Sequence, residues 1–521
     1  MSSPMQLNLS MPSMKLEKIL KQITNSFQII ANQNKIGEIE IEDIAIDSRL
    51  VKKNAIFFAV FGLENDGAKY AQSSVDKGSP VIVISKKSQF DLVNFNKNNP
   101  DIIVILCEEI SPILEEFLKI FYHQLPKNIY AITGTNGKTS TVEFIRQILE
   151  FLKIKSASIG TVGVNCSSEI KDQLIAFNLT TPDIVSLYKN LNILKKFAID
   201  DVAIEVSSIG LDQGRISGLN ISCGGFTNFT QDHLDYHLSM EKYFEAKLKL
   251  FEKYLANNAK AVVNADVEGY QKISEICFNR HIEMIDYGKN AKKIKLTKID
   301  EQEIFFDYDH KKFSFKMSAN GDFQGYNLLC ALSCVLSNHD LSYDDLTELL
   351  KKFPEIQVAQ GRMQKILQLK NDAEIFIDFA HSPDAIENVL KQARIMVEKK
   401  NLRNNRNGKL IILFGCGGDR DKKKRPIMGR IASELADKVV ISDDNPRSEN
   451  PYEIRQEILN GCIKKNILEI ADRKIAIVET VKSLSDNDIL ILAGKGHEKY
   501  QIIGDQKFDF DEEKIVKNAI K

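Results

Sequence analysis

The chain has 521 residues, 43% of them hydrophobic, and its 70 basic and 71 acidic side chains leave a net charge of −1. That length suggests roughly three domains of about 150 residues each, and the apolar fraction is ample for packed cores. The charge balance argues against a general nucleic-acid footprint, no apolar run reaches the ~18 residues of a membrane span, and no cationic start followed by an apolar stretch opens the chain. A soluble cytoplasmic protein is therefore expected, without membrane insertion and working as a monomer. The 8 cysteines are scattered without a C-x-x-C pair, which fits a reducing cytosol. Cys330 and Cys334, an i, i+4 pair in an apolar run, read as buried thiols rather than a metal site.

Residues 1–13 read as a loose tail, with Met14 a candidate start. Residues 14–125 alternate helix and strand: 56–60 (IFFAV), 80–85 (PVIVIS) and 102–106 (IIVIL) are predicted strands, and 117–127 a linker. An apolar β-type run at 129–132 then enters Thr133-Gly134-Thr135-Asn136-Gly137-Lys138-Thr139, and helical spacing follows at Val142, Ile145, Ile148, Leu149 and Leu152. Strand, glycine loop and helix start make a phosphate cradle: backbone N–H groups converge, the helix dipole favours anions, Lys138 adds a cation and the Thr139 hydroxyl can face Mg²⁺. The full Walker pattern wants a glycine five residues before Gly137, where Ile132 stands, so the loop is a shortened form. Further strands are predicted at 156–164, 201–206 (DVAIEV), 223–229 and 260–264, with helices from Asp183 and over 328–336.

From Glu374 a second α/β series begins, with predicted strands at 374–379, 409–414, 438–442, 475–478 and 488–492, and a solvated loop at 401–407. Four of them run into polar loops: DFAHSPD, GCGGDRD, DDNPRSENP and AGKGHEKY. Open parallel sheets bind ligands beyond the carboxyl ends of their strands, so four such loops predict a site on that edge. The spacing of Gly415, Gly417 and Gly418 does not match a dinucleotide fingerprint.

Several side chains could do chemistry. Glu205 ends a strand and reads either as a Mg²⁺ ligand or as a helix-capping acid. His233, in DHLDYH, is either a ligand of a second metal ion or a hydrogen-bonded loop residue. Lys247 reads by spacing as a surface lysine; CO₂ added to its neutral amine would turn it into an oxygen ligand. Arg447, stiffened by Pro446, and Arg420 suit bidentate carboxylate recognition, or else form surface ion pairs.

In combination, TGTNGKTS, LTTPD, EVSSIGLDQGRI, DHLDYH with YFEAK, NLLCAL, GRM, DFAHSPDA, GCGGDRDKKKRP, DDNPR and GKGHE closely resemble the Mur ligase family over about residues 40–510. The resemblance implies an α/β protein of three domains: a UDP-binding α/β domain at 1–126, a central P-loop ATPase-like parallel-sheet domain at 127–358, and a Rossmann-like amino-acid domain at 359–521. It implies ATP held by Gly134, Thr135, Asn136, Gly137, Lys138, Thr139, Ser140, Asn327 and Arg362, with His381 beside it. UDP-MurNAc-L-Ala-D-Glu would lie against Ser48, Leu63, Glu64, Asn65, Thr180, Thr181, Ser207, Gln213 and Arg215. Mg²⁺ would meet Thr139, Glu205, His233 and Lys247, the last as a CO₂-derived carbamate. Lys138, Lys247, His233 and His381 would be the catalytic group.

Members that add meso-2,6-diaminopimelate share D-N-P-R with this chain, whereas lysine-adding relatives lack that arginine. The diaminopimelate pocket implied is Arg420, Asp444, Asn445, Pro446, Arg447, Gly494 and Glu498. Arg447 would pair with the distal carboxylate and Glu498 with the distal ammonium, whereas lysine has only the ammonium there. The expected reaction is ATP-dependent amide formation on the D-Glu side-chain carboxylate through an acyl phosphate, for peptidoglycan precursor synthesis. Rival readings are a lysine-adding Mur ligase, a folylpolyglutamate-type ligase, and a catalytically dead ATP-binding regulatory protein. A nucleic-acid-dependent P-loop ATPase is disfavoured by the neutral charge and the shortened loop.

Overall fold

A computed structural model describes residues 12–520 apart from 31–34, 63–65, 178, 301, 319–320 and 464–465. Leu63, Glu64 and Asn65 therefore lie outside the described residues. Three sheets follow one another along the chain, in the order five, ten and six strands.

In the first, Phe27–Ile29, Ile103–Cys107, Val81–Ser85, Ala55–Phe58 and Asp43–Ala45 lie side by side, parallel except for the first. The stretch expected as a linker from Phe117 is instead the end of a helix, Ile110–Phe121. Ile110, Ile113, Leu114, Phe117, Leu118 and Phe121 repeat at helical spacing and are all buried, so this apolar stripe carries the helix on past the expected boundary. Phe117 and Phe121 join an apolar cluster that also includes Ile129, Tyr188 and Leu191, so the first two sheets share one core.

The second sheet runs Gly163–Asn165, Ser156–Gly160, Asp201–Glu205, Asn128–Thr133, Ile221–Phe226, Leu255–Asn264, Glu283–Gly288, Ile294–Asp300, Glu303–Tyr308 and Lys311–Lys316. Pairing is parallel from Ser156–Gly160 to Ile294–Asp300 and antiparallel at both ends. Asn128–Thr133 sits mid-sheet, buried on both faces, which explains its unbroken apolar sequence. Its helix, Lys138–Phe151, packs against the long helix Asp322–Asn338, where Cys330 and Cys334 are fully buried.

The third sheet is Gln364–Gln368, Glu374–Asp378, Ile489–Ala493, Leu410–Phe414, Lys438–Ile441 and Ile467–Glu469, with only the first strand antiparallel. The strand expected at 475–478 is a helix, Arg473–Lys482, and the strand itself is Ile467–Glu469. The Asp472 side chain accepts from the Ile475 N–H as an N-cap, and Ala476, Ile477, Thr480 and Val481 form a buried helical stripe, so tertiary packing overrides the β-branched run. The loop expected at 401–407 begins as the last turn of helix Pro383–Asn404, ended by Asn405 at φ 48°. The four polar loops leave four adjacent parallel strands on one edge, facing the phosphate loop of the second sheet.

Candidate active site

The phosphate loop is made by local geometry. Gly134 and Gly137 have φ of 142° and 85°, and a Cβ there would stand 2.0 Å from Thr227 Oγ1 and 2.3 Å from Asn327 Oδ1. No other residue fits either place. Asn327 is thereby brought onto the loop. Lys138 Nζ folds back to donate to Gly134 O at 2.9 Å and Thr135 O at 2.8 Å, and enclosure holds its pKa below that of a free lysine despite Glu205 and Asp232 nearby.

Glu205 is 1% exposed at the end of its strand. Its Oε2 accepts from the Thr139 hydroxyl at 3.0 Å and from Thr161 Oγ1 at 3.1 Å, and its Oε1 from the Thr161 N–H at 2.8 Å. Burial raises its pKa while Lys138 and Arg362 oppose the shift. The helix-capping alternative does not hold: Ser207 is the N-cap of the next helix and accepts from the Gly210 N–H.

Lys247 is not the surface lysine that its spacing suggests. It is 1% exposed, donates to Gly134 O at 2.7 Å and lies 4.4 Å above the Tyr243 ring. Burial first, then the charge of Lys138, push its pKa far down, because no carboxylate among the described residues pairs with it. Long-range packing decides this, since its helix, Met240–Lys249, turns Tyr243, Ala246 and Lys247 inward.

His233 has φ 54°, a conformation unfavourable for a residue with a Cβ, and its Nε2 stands 3.6 Å from Asp232 Oδ2. Enclosure in the cleft, with Lys138 and Lys247 near, lowers its pKa to about 4 against the opposing pull of Asp232, so the ring is neutral at pH 7. His381 comes from the third sheet. Its Nδ1 is 2.7 Å from Phe379 O, so that nitrogen must carry the proton and Nε2 keeps its lone pair. Enclosure and Lys424 lower its pKa to about 4.

Arg362 also crosses between sheets: its Nη2 donates to Thr139 Oγ1 at 2.9 Å, and its guanidinium stacks 4.7 Å over Phe379. Asn136 Nδ2 donates to Asp384 Oδ2 at 2.6 Å. Ser140, Asn327, Phe323 and Asp378 line a neighbouring cavity beside the loop that also reaches Arg362 and His381.

Thr180, Thr181, Ser207, Gln213 and Arg215 form one hydrogen-bonded patch. Thr181 Oγ1 lies 3.1 Å from Ser207 Oγ, Arg215 Nη1 donates to Thr181 O at 2.7 Å, and Gln213 Oε1 accepts from Arg215 at 2.6 Å. Thr161 Oγ1 and Thr180 Oγ1 lie 3.1 Å apart, the Thr161 proton being the one given to Glu205. Ser48 stands apart, in a second cavity with Asp183, Ser186 and Lys189 between the first two sheets.

The amino-acid loops form the opposite wall of the main cleft. Arg447 has φ 52°, and its Nη1 donates to Gly418 O at 2.8 Å. Asn445 holds the wall together: Nδ2 donates to Glu498 Oε2 at 2.9 Å, and Oδ1 accepts from Lys495 Nζ at 3.0 Å and from the Ile502 N–H at 2.9 Å. Pro446 brings its carbonyl against Gly418, and Gly494, at φ 110°, leaves room for Asp444 Oδ2 where a Cβ would stand 2.6 Å away. That oxygen is buried without a hydrogen-bond partner among the described residues. Burial and Asp444 raise the pKa of Glu498; burial and the like charge of Arg420 lower that of Arg447. Arg420 is exposed and donates to Asp419 O at 3.0 Å.

One cavity is lined by Lys138, Thr139, Glu205 and His233 on one side and by Arg420, Asp444, Arg447, Gly494 and Glu498 on the other. Sequence reasoning passed over three residues here. Asp378 accepts from the Met363 N–H at 2.6 Å and so fixes the turn that carries Arg362. Its signal was available, since it ends a strand as Glu205 does. Asp232 and Lys424 face each other across the cleft.

Comparison with known proteins agrees with this geometry. The family model of the Mur ligase middle domain matches residues 132–335, and that of the Mur ligase glutamate ligase domain matches residues 361–496. The chain is 38% identical over 491 residues to a Rickettsia montanensis protein named UDP-N-acetylmuramoyl-L-alanyl-D-glutamate--2,6-diaminopimelate ligase, covering 92% of this chain and 96% of that one. The chain belongs to the Mur ligase family. A solved structure of a ligase of the same name superposes with a TM-score of 0.62 at 27% identity, covering 98% of this Mur ligase and 99% of that chain. The Acinetobacter baumannii UDP-N-acetylmuramoylalanyl-D-glutamyl-2,6-diaminopimelate--D-alanyl-D-alanyl ligase shares the fold, with a TM-score of 0.63 at 15% identity over 93% of this chain and 96% of that chain. Among the described residues, no helix is long and apolar enough to cross a membrane.

Proposed function

We propose that this Mur ligase uses ATP to join meso-2,6-diaminopimelate to the D-Glu side-chain carboxylate of UDP-MurNAc-L-Ala-D-Glu, in the cytoplasm, as a step of peptidoglycan precursor synthesis. The observation that carries this reading is the shared cavity: Arg447 and Glu498 stand across it from Lys138 and Glu205. A distal carboxylate and a distal ammonium match an arginine beside a glutamate, and the reacting amine would then point at the phosphate loop. The similarity to a diaminopimelate-adding ligase from Rickettsia montanensis supports the same choice.

The D-Glu carboxylate attacks the γ-phosphorus of ATP, and the bond to the bridging oxygen breaks with its electron pair leaving on ADP. The amine then attacks the acyl carbon, the carbon–oxygen bond to phosphate breaks, and one proton leaves the nitrogen. Two anions meet in the first step. Lys138 lowers that repulsion, and the loop N–H groups stabilise charge spreading over the phosphoryl oxygens. Thr180, Thr181, Ser207, Gln213 and Arg215 hold the peptidyl end, and Ser48, with Leu63, Glu64 and Asn65, the uridine diphosphate end. Asn327 and Arg362 hold the nucleotide. The shut cleft keeps water from the acyl phosphate.

Mg²⁺ fits the donors present. The Glu205 carboxylate and Thr139 hydroxyl are hard oxygen donors 3.0 Å apart, and the neutral His233 ring faces the same cavity. A lysine amine is no ligand for such an ion, but burial shifts Lys247 toward the neutral amine, the form that can take up CO₂, with loss of a proton, as a carbamate. When bound, Mg²⁺ supplies positive charge against the phosphoryl oxygens.

The test is phosphate release from ATP with the UDP-dipeptide, comparing diaminopimelate, lysine and no amino acid. Release with diaminopimelate alone is expected. Equal release with lysine would point to the lysine-adding reading, and release with neither to a different acceptor or a dead site.

A further inference from the structure

The C-terminal wall carries a lysine that the reading above leaves without a task. Lys422, Lys423 and Lys424 stand in a row at the start of helix Lys424–Leu435. The first two are exposed, while Lys424 is turned inward and 7% exposed. Its Nζ makes no hydrogen bond to any described residue, and the nearest carboxylate oxygen, Asp232 Oδ1, is 3.8 Å away. An ammonium carries three donors, so the head is left to meet whatever occupies the cleft. The opening in front of it is the cavity it shares with Lys138, Arg362 and His381.

Asp232 explains the spacing. Its Oδ2 is 3.6 Å from His233 Nε2 and 3.9 Å from His381 Nε2, so all three approaches stop short of hydrogen-bond length. Lys424 stands 3.8 Å from this carboxylate on the C-terminal wall, and Lys138 lines the same cavity from the central one. Arg447 and Arg420 already supply cations for the carboxylates of the amino acid. From the same side Arg362 already reaches Thr139 Oγ1 on the phosphate loop, so the anion that remains for Lys424 in this shared cavity is the phosphoryl group in transit.

We propose that Lys424 is a catalytic residue that donates hydrogen bonds to the oxygens of the transferred phosphoryl group, while the acyl phosphate forms and again as phosphate departs. No bond to it forms or breaks. Because it stands on the C-terminal wall and Lys138 on the central one, the phosphoryl group has cations on both sides only when the cleft is shut. Chemistry is thereby tied to closure. This inference rests on the ligase reading above.

The experiment compares wild type with Lys424→Met, Lys424→Gln and Lys424→Arg by diaminopimelate-dependent phosphate release, alongside thermal melting and ATP binding. Lys424→Met is expected to lose about 100-fold in kcat, with each KM changed by less than about threefold, and Lys424→Arg to recover part of the loss. Lys424→Gln keeps a polar head beside Asp232, so a kcat loss at an unchanged melting temperature separates lost charge from lost folding. A kcat near wild type in Lys424→Gln would overturn the proposal. So would a raised KM for diaminopimelate with kcat retained, which would place Lys424 in the amino-acid pocket. If wild type itself shows no diaminopimelate-dependent release, the ligase reading fails and not this assignment.

Discussion

The two walls of the cleft are built in opposite ways. The central wall is made chiefly by one strand, one turn and one helix, 128–151, whose backbone does much of the binding. The C-terminal wall comes from four loops separated by up to about a hundred residues of chain, and side chains do its work. The first wall suits any reaction on a nucleotide phosphate. In the proposed reaction the second would choose the nucleophile, and its loops can vary without rebuilding the phosphate cradle. Strained backbone occurs on both walls: His233 on the central side takes φ 54° and Asp419 and Arg447 on the C-terminal side take φ of 54° and 52° with full side chains, whereas Gly134 and Gly137 take positive φ without that cost.

If the central wall is the generic half, its loss should stop every step alike. Lys138→Ala should lower turnover by about 10³-fold with any amino acid, since it removes a preorganised cation at the transferring group. Near-normal turnover would remove the phosphate-cradle assignment. Lys247→Ala should lose about 10²-fold and recover in part with added formate or acetate, which would place a carboxylate in the vacated space. Turnover like wild type without such addition would argue against the carbamate.

The bond that ties the walls together sharpens the comparison with a smaller effect. Asp384→Ala removes the 2.6 Å contact to Asn136 and should cost about 1 kcal/mol of closure, seen as a several-fold lower kcat/KM for ATP. The smallest effect is on stability. His381 lines the cleft and His497 packs its ring on Phe379 behind it, and enclosure lowers both pKa values from 6.5 to about 4. Between those values the unfolded chain binds more protons than the folded one, so stability is full above pH 6.5 and falls as pH drops toward 4. Urea midpoints at pH 7.5, 6 and 5 should fall in that order, and less steeply in His381→Asn; parallel curves would contradict this.

What could be read from sequence follows the same contrast. The phosphate loop is local, so its residues and spacing carry the geometry with them. Lys247 is not local: nothing in its helix says that Tyr243 and Gly134 will enclose it. Lys424 shows the limit more sharply, because three lysines in a row look alike until the helix start turns one of them inward. The helix Arg473–Lys482 was hidden by Ile475, Ile477 and Val478, which fit a strand as well as a helix until the Asp472 cap is seen. The four loops at the strand ends were legible as a site because parallel sheets place such loops on one edge. How they meet the phosphate loop depends on the packing of two sheets, which no single segment records.

The central claim is that the C-terminal wall selects diaminopimelate through Arg447. The most direct test is the ratio of kcat/KM for diaminopimelate to that for lysine, in wild type and in Arg447→Ala, with the KM for ATP measured in parallel. Losing an enclosed carboxylate contact costs roughly 2–5 kcal/mol, so the ratio should collapse by at least about 30-fold while the KM for ATP holds. An unchanged ratio, or an equal loss toward ATP, would contradict the account.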